Sequence, residues 1–163
     1  MRAAGPLPLA PAEEAFLARG AAYLLQRKFC RSLSKGGTVI DPAWLALTFP
    51  RFYHYDVLRG LAFVVLWAVA RPLVTLRAAD LVDAAAVLPS SGPVVIGRAA
   101  WAQEATLRRQ SDGSWTREAR AARFALLDCV GEAGEVSAAL THSRDVVANA
   151  LRQLQAEGRI DWA

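Results

Sequence analysis

The first region with a clear pattern of apolar positions follows a proline-containing lead-in, residues 1–12, which we expect to be flexible. Its apolar side chains fall on the i, i+4 and i+8 rows of one helix face, which predicts a helix over residues 13–33. These positions are Phe16, Leu17, Ala21, Leu24, Leu25 and Phe29. A Ser-Lys-Gly-Gly sequence at residues 34–37 predicts the end of the helix.

The most apolar part of the chain, residues 57–69, predicts a helix without a polar face. Asp56 is placed as its N-cap, where a carboxylate accepts hydrogen bonds from the amides of the first turn. A helix that is apolar all round must be covered on every side, which favours an inner helix in a double layer of helices. The apolar run over residues 61–70 is only about half the roughly 20 residues that a bilayer needs, so we expect no membrane span.

The remaining pattern predicts further helices joined by turns. Asp41 as N-cap and Pro42 at the first helical position predict a short element over residues 42–47. Helices are also predicted over residues 76–88, 97–109, 118–130, 134–140 and 143–157, with a polar turn at Asp112-Gly113. Strand candidates are limited to residues 37–40, 93–96 and 159–162. The sequence therefore predicts a mainly α fold of antiparallel helical hairpins.

Composition narrows the functional classes. Hydrophobic residues make up 54% of the chain, and the abundance of Ala and Leu favours helix over sheet. The net charge of +4 is spread along the chain, which permits contact with nucleic acid without arguing for it. Cys30 and Cys129 belong to no Cys-x-x-Cys pair, so we expect free thiols and neither a metal site nor a cofactor. With no export signal visible, the expected location is cytoplasmic.

Three sequence segments resemble a known family, and one of them, residues 71–83, is similar to the Asp- and Arg-containing outer helix of its helical hairpin. Residues 47–61 read Leu-Thr-Phe-Pro-Arg-Phe-Tyr-His-Tyr-Asp-Val-Leu-Arg-Gly-Leu and resemble the opening of an inner helix in the α/α toroids of squalene cyclases and prenyltransferases. Residues 110–115, Gln-Ser-Asp-Gly-Ser-Trp, resemble the Gln/Trp motif of the toroid repeat. The likeness covers about residues 15–118, and it implies that residues 13–118 form the helical hairpins of a partial toroid. On physical grounds alone, Trp115 would pack over the next helix start, and Gln110 would hydrogen-bond a neighbouring helix end.

The departures from this family bear on function. Squalene-type cyclases protonate their substrate with an Asp-x-Asp-Asp motif and protein prenyltransferases hold zinc, and neither residue set occurs here. The chain is also too short for six hairpins. We therefore expect a non-catalytic scaffold or a module that binds an apolar ligand. An incomplete ring leaves an apolar helical edge, so a protein partner or self-association is expected. The candidate ligand-binding residues are Phe52, Tyr53, Tyr55 and Trp67.

A degenerate terpenoid-processing enzyme is one alternative. His54 and Asp56 lie among aromatic residues, where a histidine oriented by a carboxylate could act on a ligand. The structural interpretation, with Asp56 as a helix cap and His54 in a structural hydrogen bond, is favoured because no nucleophile is near in sequence. Asp80 and Asp83 could share a helix face, but such a pair is usually solvated rather than a magnesium site.

A DNA-binding protein is the other alternative. Residues 123–160, within a C-terminal segment at 119–163, resemble the three helices of a winged helix-turn-helix domain. The resemblance implies a turn at Thr141-His142 and a last helix that enters the major groove. Its exposed polar residues would be Ser143, Arg144, Asn149 and Arg152. The simpler interpretation is an amphipathic helix, capped by Ser143, that seals the last hairpin.

Overall fold

A computed structural model describes residues 9–52, 54–99, 105–119 and 131–161, and this part of the chain is broadly helical. The helices are α1 (Pro11–Gln26), a 3-10 turn (Pro42–Leu45), α2 (Val57–Val69), α3 (Ala78–Ala85) and α4 (Ala138–Ala156). The strands are β1 (Thr48–Phe49), β2 (Leu76–Arg77), β3 (Arg98–Ala99), β4 (Ala105–Arg109), β5 (Trp115–Ala119) and β6 (Ile160–Asp161).

The core is built around α2, which packs against α1, α3 and most extensively α4. The bounds predicted for this helix are confirmed, and so is its cap: Asp56 accepts a hydrogen bond from the Arg59 amide at 2.8 Å. Complete coverage is not found, because Leu66 in the second half of the helix is 45% exposed. The buried residues of α2 are Val57, Leu58, Gly60, Leu61, Val64, Val65 and Ala68.

None of the helices in the described ranges is long and apolar enough to cross a bilayer.

Short strand pairs connect distant parts of the chain. β1 pairs with β3 and β2 pairs with β6, both in parallel, whereas β4 and β5 form an antiparallel hairpin. Next to β6, the buried Arg159 donates hydrogen bonds to the carbonyls of Ala68, Arg71 and Val74. These carbonyls lie at and just beyond the C-terminus of α2, where the last carbonyls lack helical partners. Arg159 therefore caps the central helix from the far end of the sequence.

The first helix ends earlier than predicted. The amide of Phe29 bonds to the Leu24 carbonyl and that of Lys28 bonds to the Leu25 carbonyl, each at 2.9 Å. This pair of bonds is a Schellman motif, which closes a helix through one residue in the left-handed region. Lys28 occupies that position with φ +43°, and Phe29 after it also has a positive φ, of +68°. The apolar periodicity at 27–33 misled the prediction because Phe29 is buried from a turn rather than from a helix.

Substituting Lys28 by glycine should stabilise the protein. Glycine adopts a positive φ without steric cost, so Lys28→Gly is expected to raise the free energy of unfolding by about 0.5–1 kcal/mol. Urea denaturation followed by circular dichroism measures this change. Lys35→Gly is the matched control, because Lys35 has no positive φ and its replacement should give no gain. Equal gains in both variants would contradict the assignment of strain to Lys28.

Several other predicted elements differ from the structure. The helix predicted over residues 97–109 is wrong, because residues 98–99 and 105–109 are strands. The helix predicted over 76–88 is the shorter α3, which begins after β2. Of the helix predicted over 118–130, residues 118–119 end β5 and the rest lie outside the described residues. The Asp112-Gly113 turn is present and joins β4 to β5.

The two predicted C-terminal helices are one continuous helix. Ser137, rather than Ser143, is its N-cap and accepts a hydrogen bond from the Leu140 amide. No turn forms at Thr141-His142. Thr141 and Ser143 each donate a side-chain hydrogen bond to the carbonyl four residues earlier, so these polar residues are accommodated inside the helix.

The strand candidates are confirmed in part. Residues 37–40 and 93–96 contribute single bridges, Val39 to Arg31 and Val95 to Val136. Residues 159–162 contain β6.

Candidate functional site

An apolar groove of about 550 Å³ lies between α3 and α4. It is lined by Ala78, Ala79, Leu81, Val82, Ala85, Leu151, Gln155 and Ile160. The volume lies within the range of small-molecule sites, which are mostly apolar with a few polar groups. Gln155 supplies the single polar side chain, and none of these lining residues carries a charge.

The groove exists because α3 presents small side chains where it faces α4. Ala78, Ala79 and Ala85 leave space that larger residues would fill. Leu81 and Ile160 are nearly buried and therefore close the inner side of the groove, whereas Val82 is 56% exposed on its outer side. A concave apolar surface of this kind commonly marks a binding site. The alanine-rich sequence of α3 is the signal that could have indicated it, but alanine runs are as common on packed helices.

Two smaller grooves lie elsewhere. One of about 440 Å³ runs beside the first half of α1, lined by Leu9, Ala12, Glu13, Phe16 and Leu17. The other, of about 180 Å³, is lined by Phe49, Arg51, Ala139, Leu140 and Ser143.

The predicted aromatic cluster does not form a ligand cage among the described residues. Phe52 is exposed with φ +39°, and Tyr53 lies outside the described residues. Tyr55 instead is partly buried and has structural contacts. Its hydroxyl donates to the Phe29 carbonyl at 3.0 Å, and its ring meets Trp44 edge-on at a centroid distance of 4.9 Å. Burial raises the pKa of Tyr55, so this phenol stays protonated.

His54 and Asp56 have structural positions. The His54 side chain is buried and lines none of the three grooves described above. Its carbonyl accepts a hydrogen bond from the Arg59 guanidinium at 2.8 Å. Asp56 is fully buried and accepts hydrogen bonds from the amides of Thr48 and Arg59. This geometry matches the predicted role of Asp56 as a helix cap.

Trp67 packs within the helical core rather than at the groove. Its ring is partly buried and lies 5.3 Å from the guanidinium of Arg71. The indole nitrogen is buried without a hydrogen-bond partner in the described part of the chain. The residues around Trp67 therefore bury its apolar ring but offer no hydrogen-bond acceptor to its indole N–H among the described residues.

Asp80 and Asp83 each pair with an arginine. Asp80 accepts two hydrogen bonds from Arg77, and Asp83 forms an ion pair with Arg31. The hydrogen bond from Arg31 lowers the pKa of Asp83, which keeps that carboxylate ionised. The described residues contain no cluster of His, Cys, Asp and Glu suited to a metal ion.

The polar residues proposed to face DNA on α4 have different roles. Arg144, predicted to be exposed, is buried and donates to the carbonyls of Pro89 at 3.0 Å and Gly92 at 2.7 Å. It therefore holds the loop before β3 against α4. Asn149 and Arg152 are exposed and bonded to each other, and Ser143 is half-buried. The predicted set of four is thus divided between the core and the surface.

The predicted packing of Trp115 over a helix start is not found among the described residues. Trp115 is 63% exposed on β5 rather than packed over a helix start. Gln110 donates its side-chain hydrogen bond across the hairpin to Thr116 at 2.5 Å. The Asp-Gly turn closes a hairpin, and the ring therefore projects from a two-stranded ribbon.

Comparison of the chain with protein-family models, with curated proteins and with solved structures found no match in any of the three.

Proposed function

We propose that this chain is a non-catalytic helical module that binds an elongated apolar ligand in the groove between α3 and α4. The observation that carries the proposal is the uncharged lining of a groove of about 550 Å³, built by alanines on one side and Leu151 on the other. Burying a hydrocarbon there removes apolar surface from water at roughly 25 cal/mol per Å². Gln155 can donate a hydrogen bond to a polar end group.

The resemblance to terpenoid cyclases gives the ligand class. In this proposal the chain is a part of an α/α toroid that has lost the catalytic acid but keeps affinity for isoprenoid hydrocarbons. The capped, largely buried α2 at the predicted inner-helix position supports that view. The pairing of Asp80 and Asp83 with arginines and the burial of His54 favour binding over catalysis.

Farnesol binding tests the proposal. Titration calorimetry with the full chain should show saturable binding, and two groove variants should weaken it at least about tenfold. Val82→Asp places a charge on the exposed wall, and Ala79→Phe fills the space with a ring. Both positions are solvent-exposed on α3, so the fold should persist in circular dichroism.

Leu73→Asp is the matched control, because Leu73 is 98% exposed and does not line the groove. Its affinity for farnesol should equal that of the unmodified chain. An equal loss in Leu73→Asp and Val82→Asp, or no binding by the unmodified chain, would refute the groove as an isoprenoid site.

A further inference from the structure

We infer that the β4–β5 hairpin is a docking surface for single-stranded nucleic acid, with the Trp115 ring as its stacking platform. This inference is independent of the apolar groove. In the register of the hairpin, Arg109 lies directly opposite Trp115, and Arg108 lies opposite Thr116. Residues directly opposite in an antiparallel pair project from the same face.

One face of the hairpin is therefore apolar and basic. Side chains two residues apart in a strand share a face, so Leu107 joins Arg109 and Trp115. All three are exposed: Leu107 is 62% exposed, Trp115 63%, and Arg109 also faces solvent. Arg108, Gln110 and Thr116 lie on the opposite, polar face. No described element covers the face that carries the tryptophan.

The charge and the aromatic ring of this hairpin face indicate which ligand binds there. The acidic residue of the tip, Asp112, is engaged in the turn, where it accepts hydrogen bonds from the Ser114 amide and hydroxyl. The exposed indole ring of Trp115 can stack on an unpaired base, and the neighbouring guanidinium of Arg109 can bind the phosphate next to that base. A duplex does not offer a free base face. A lipid surface is a poorer fit, because two apolar side chains give little area to insert.

Fluorescence anisotropy with labelled oligothymidylate tests this assignment in the full chain. The unmodified protein should bind, and Trp115→Ala should weaken binding about tenfold through lost stacking. Trp115→Phe should retain most of the affinity, because it keeps a π face. Arg109→Ser should weaken binding and reduce the slope of log affinity against log salt concentration by about 1.

Two controls separate the hairpin from the general basic character of the chain. Phe16→Ala removes an aromatic ring of similar exposure on α1, and Arg152→Ser removes an exposed cation on α4. Both should bind as tightly as the unmodified chain. The inference is overturned if these controls lose as much affinity as the hairpin variants, if the unmodified chain does not bind, or if duplex DNA or anionic phospholipid vesicles bind more tightly than the single strand.

Discussion

Replacing Asp56 by alanine is expected to lower the free energy of unfolding by about 3–5 kcal/mol. The carboxylate is fully buried and satisfies two amides, Thr48 at 2.9 Å and Arg59 at 2.8 Å. It also lies 3.6 Å from the guanidinium of Arg51. Burial lowers the pKa of Arg51, and its Nη2 atom has no hydrogen-bond partner among the described residues. Removing Asp56 would therefore leave two buried amides without an acceptor and a partly buried cation without its counter-charge.

Asp41→Ala is the matched control for this experiment. Asp41 caps the 3-10 turn by accepting one hydrogen bond from the Ala43 amide at 2.9 Å, but it is exposed. Its loss should cost only about 1 kcal/mol. Thermal and urea denaturation of both variants give the comparison. Similar losses for Asp41→Ala and Asp56→Ala would show that Asp56 acts as an ordinary cap and not as a buried junction.

Gly60→Ala should destabilise the protein by about 2 kcal/mol, although alanine is the better helix former by about 1 kcal/mol. A Cβ atom at Gly60 would overlap the Tyr55 hydroxyl and would lie 3.1 Å from Tyr55 Cζ and 3.2 Å from Phe29 Cδ1. That hydroxyl is held by its bond to the Phe29 carbonyl, so it cannot move without losing a partner. The glycine thus allows the partly buried tyrosine to approach the helix.

A double-mutant cycle isolates this contact. In a Tyr55→Phe background the closest overlap is removed, so Gly60→Ala should cost at least about 1 kcal/mol less. Gly20→Ala, in the middle of α1, meets only Phe63 at 3.5 Å and should be neutral or stabilising. Additive effects of Gly60→Ala and Tyr55→Phe in urea denaturation would contradict the proposed clash.

The sequence predicted the central helix well because local and global signals agree there. The acidic N-cap, the long apolar run and the Arg71-Pro72 sequence that follows it set the bounds of α2, whatever packs around the helix. The failures have a different cause. Residues 97–109 carry a helix-compatible pattern, but β3 and β4 are set by pairing with distant or following segments, which the local pattern does not encode.

The candidate site was less predictable than the fold. The groove depends on how α3 and α4 face each other, and no periodicity specifies that geometry. Arg144 illustrates the same limit, because an arginine on an amphipathic helix suggests exposure until its carbonyl partners at Pro89 and Gly92 are known. The cap at Asp56 was visible in the sequence and is confirmed, whereas the burial of the neighbouring His54 could not be derived from the local pattern.

The capping of α2 by Arg159 has a consequence for synthesis. Arg159 and Ala68 are 91 residues apart, and α4, the main packing partner of α2, also comes late in the chain. In a ribosome-bound chain, the side of α2 that packs against α4 therefore stays uncovered until nearly all of the described residues have emerged, even when α1 and α3 are already in place. Nascent chains stalled before α4 should accordingly recruit chaperones that recognise exposed hydrocarbon, and those with an added C-terminal linker that carries residue 161 clear of the ribosome tunnel should release them.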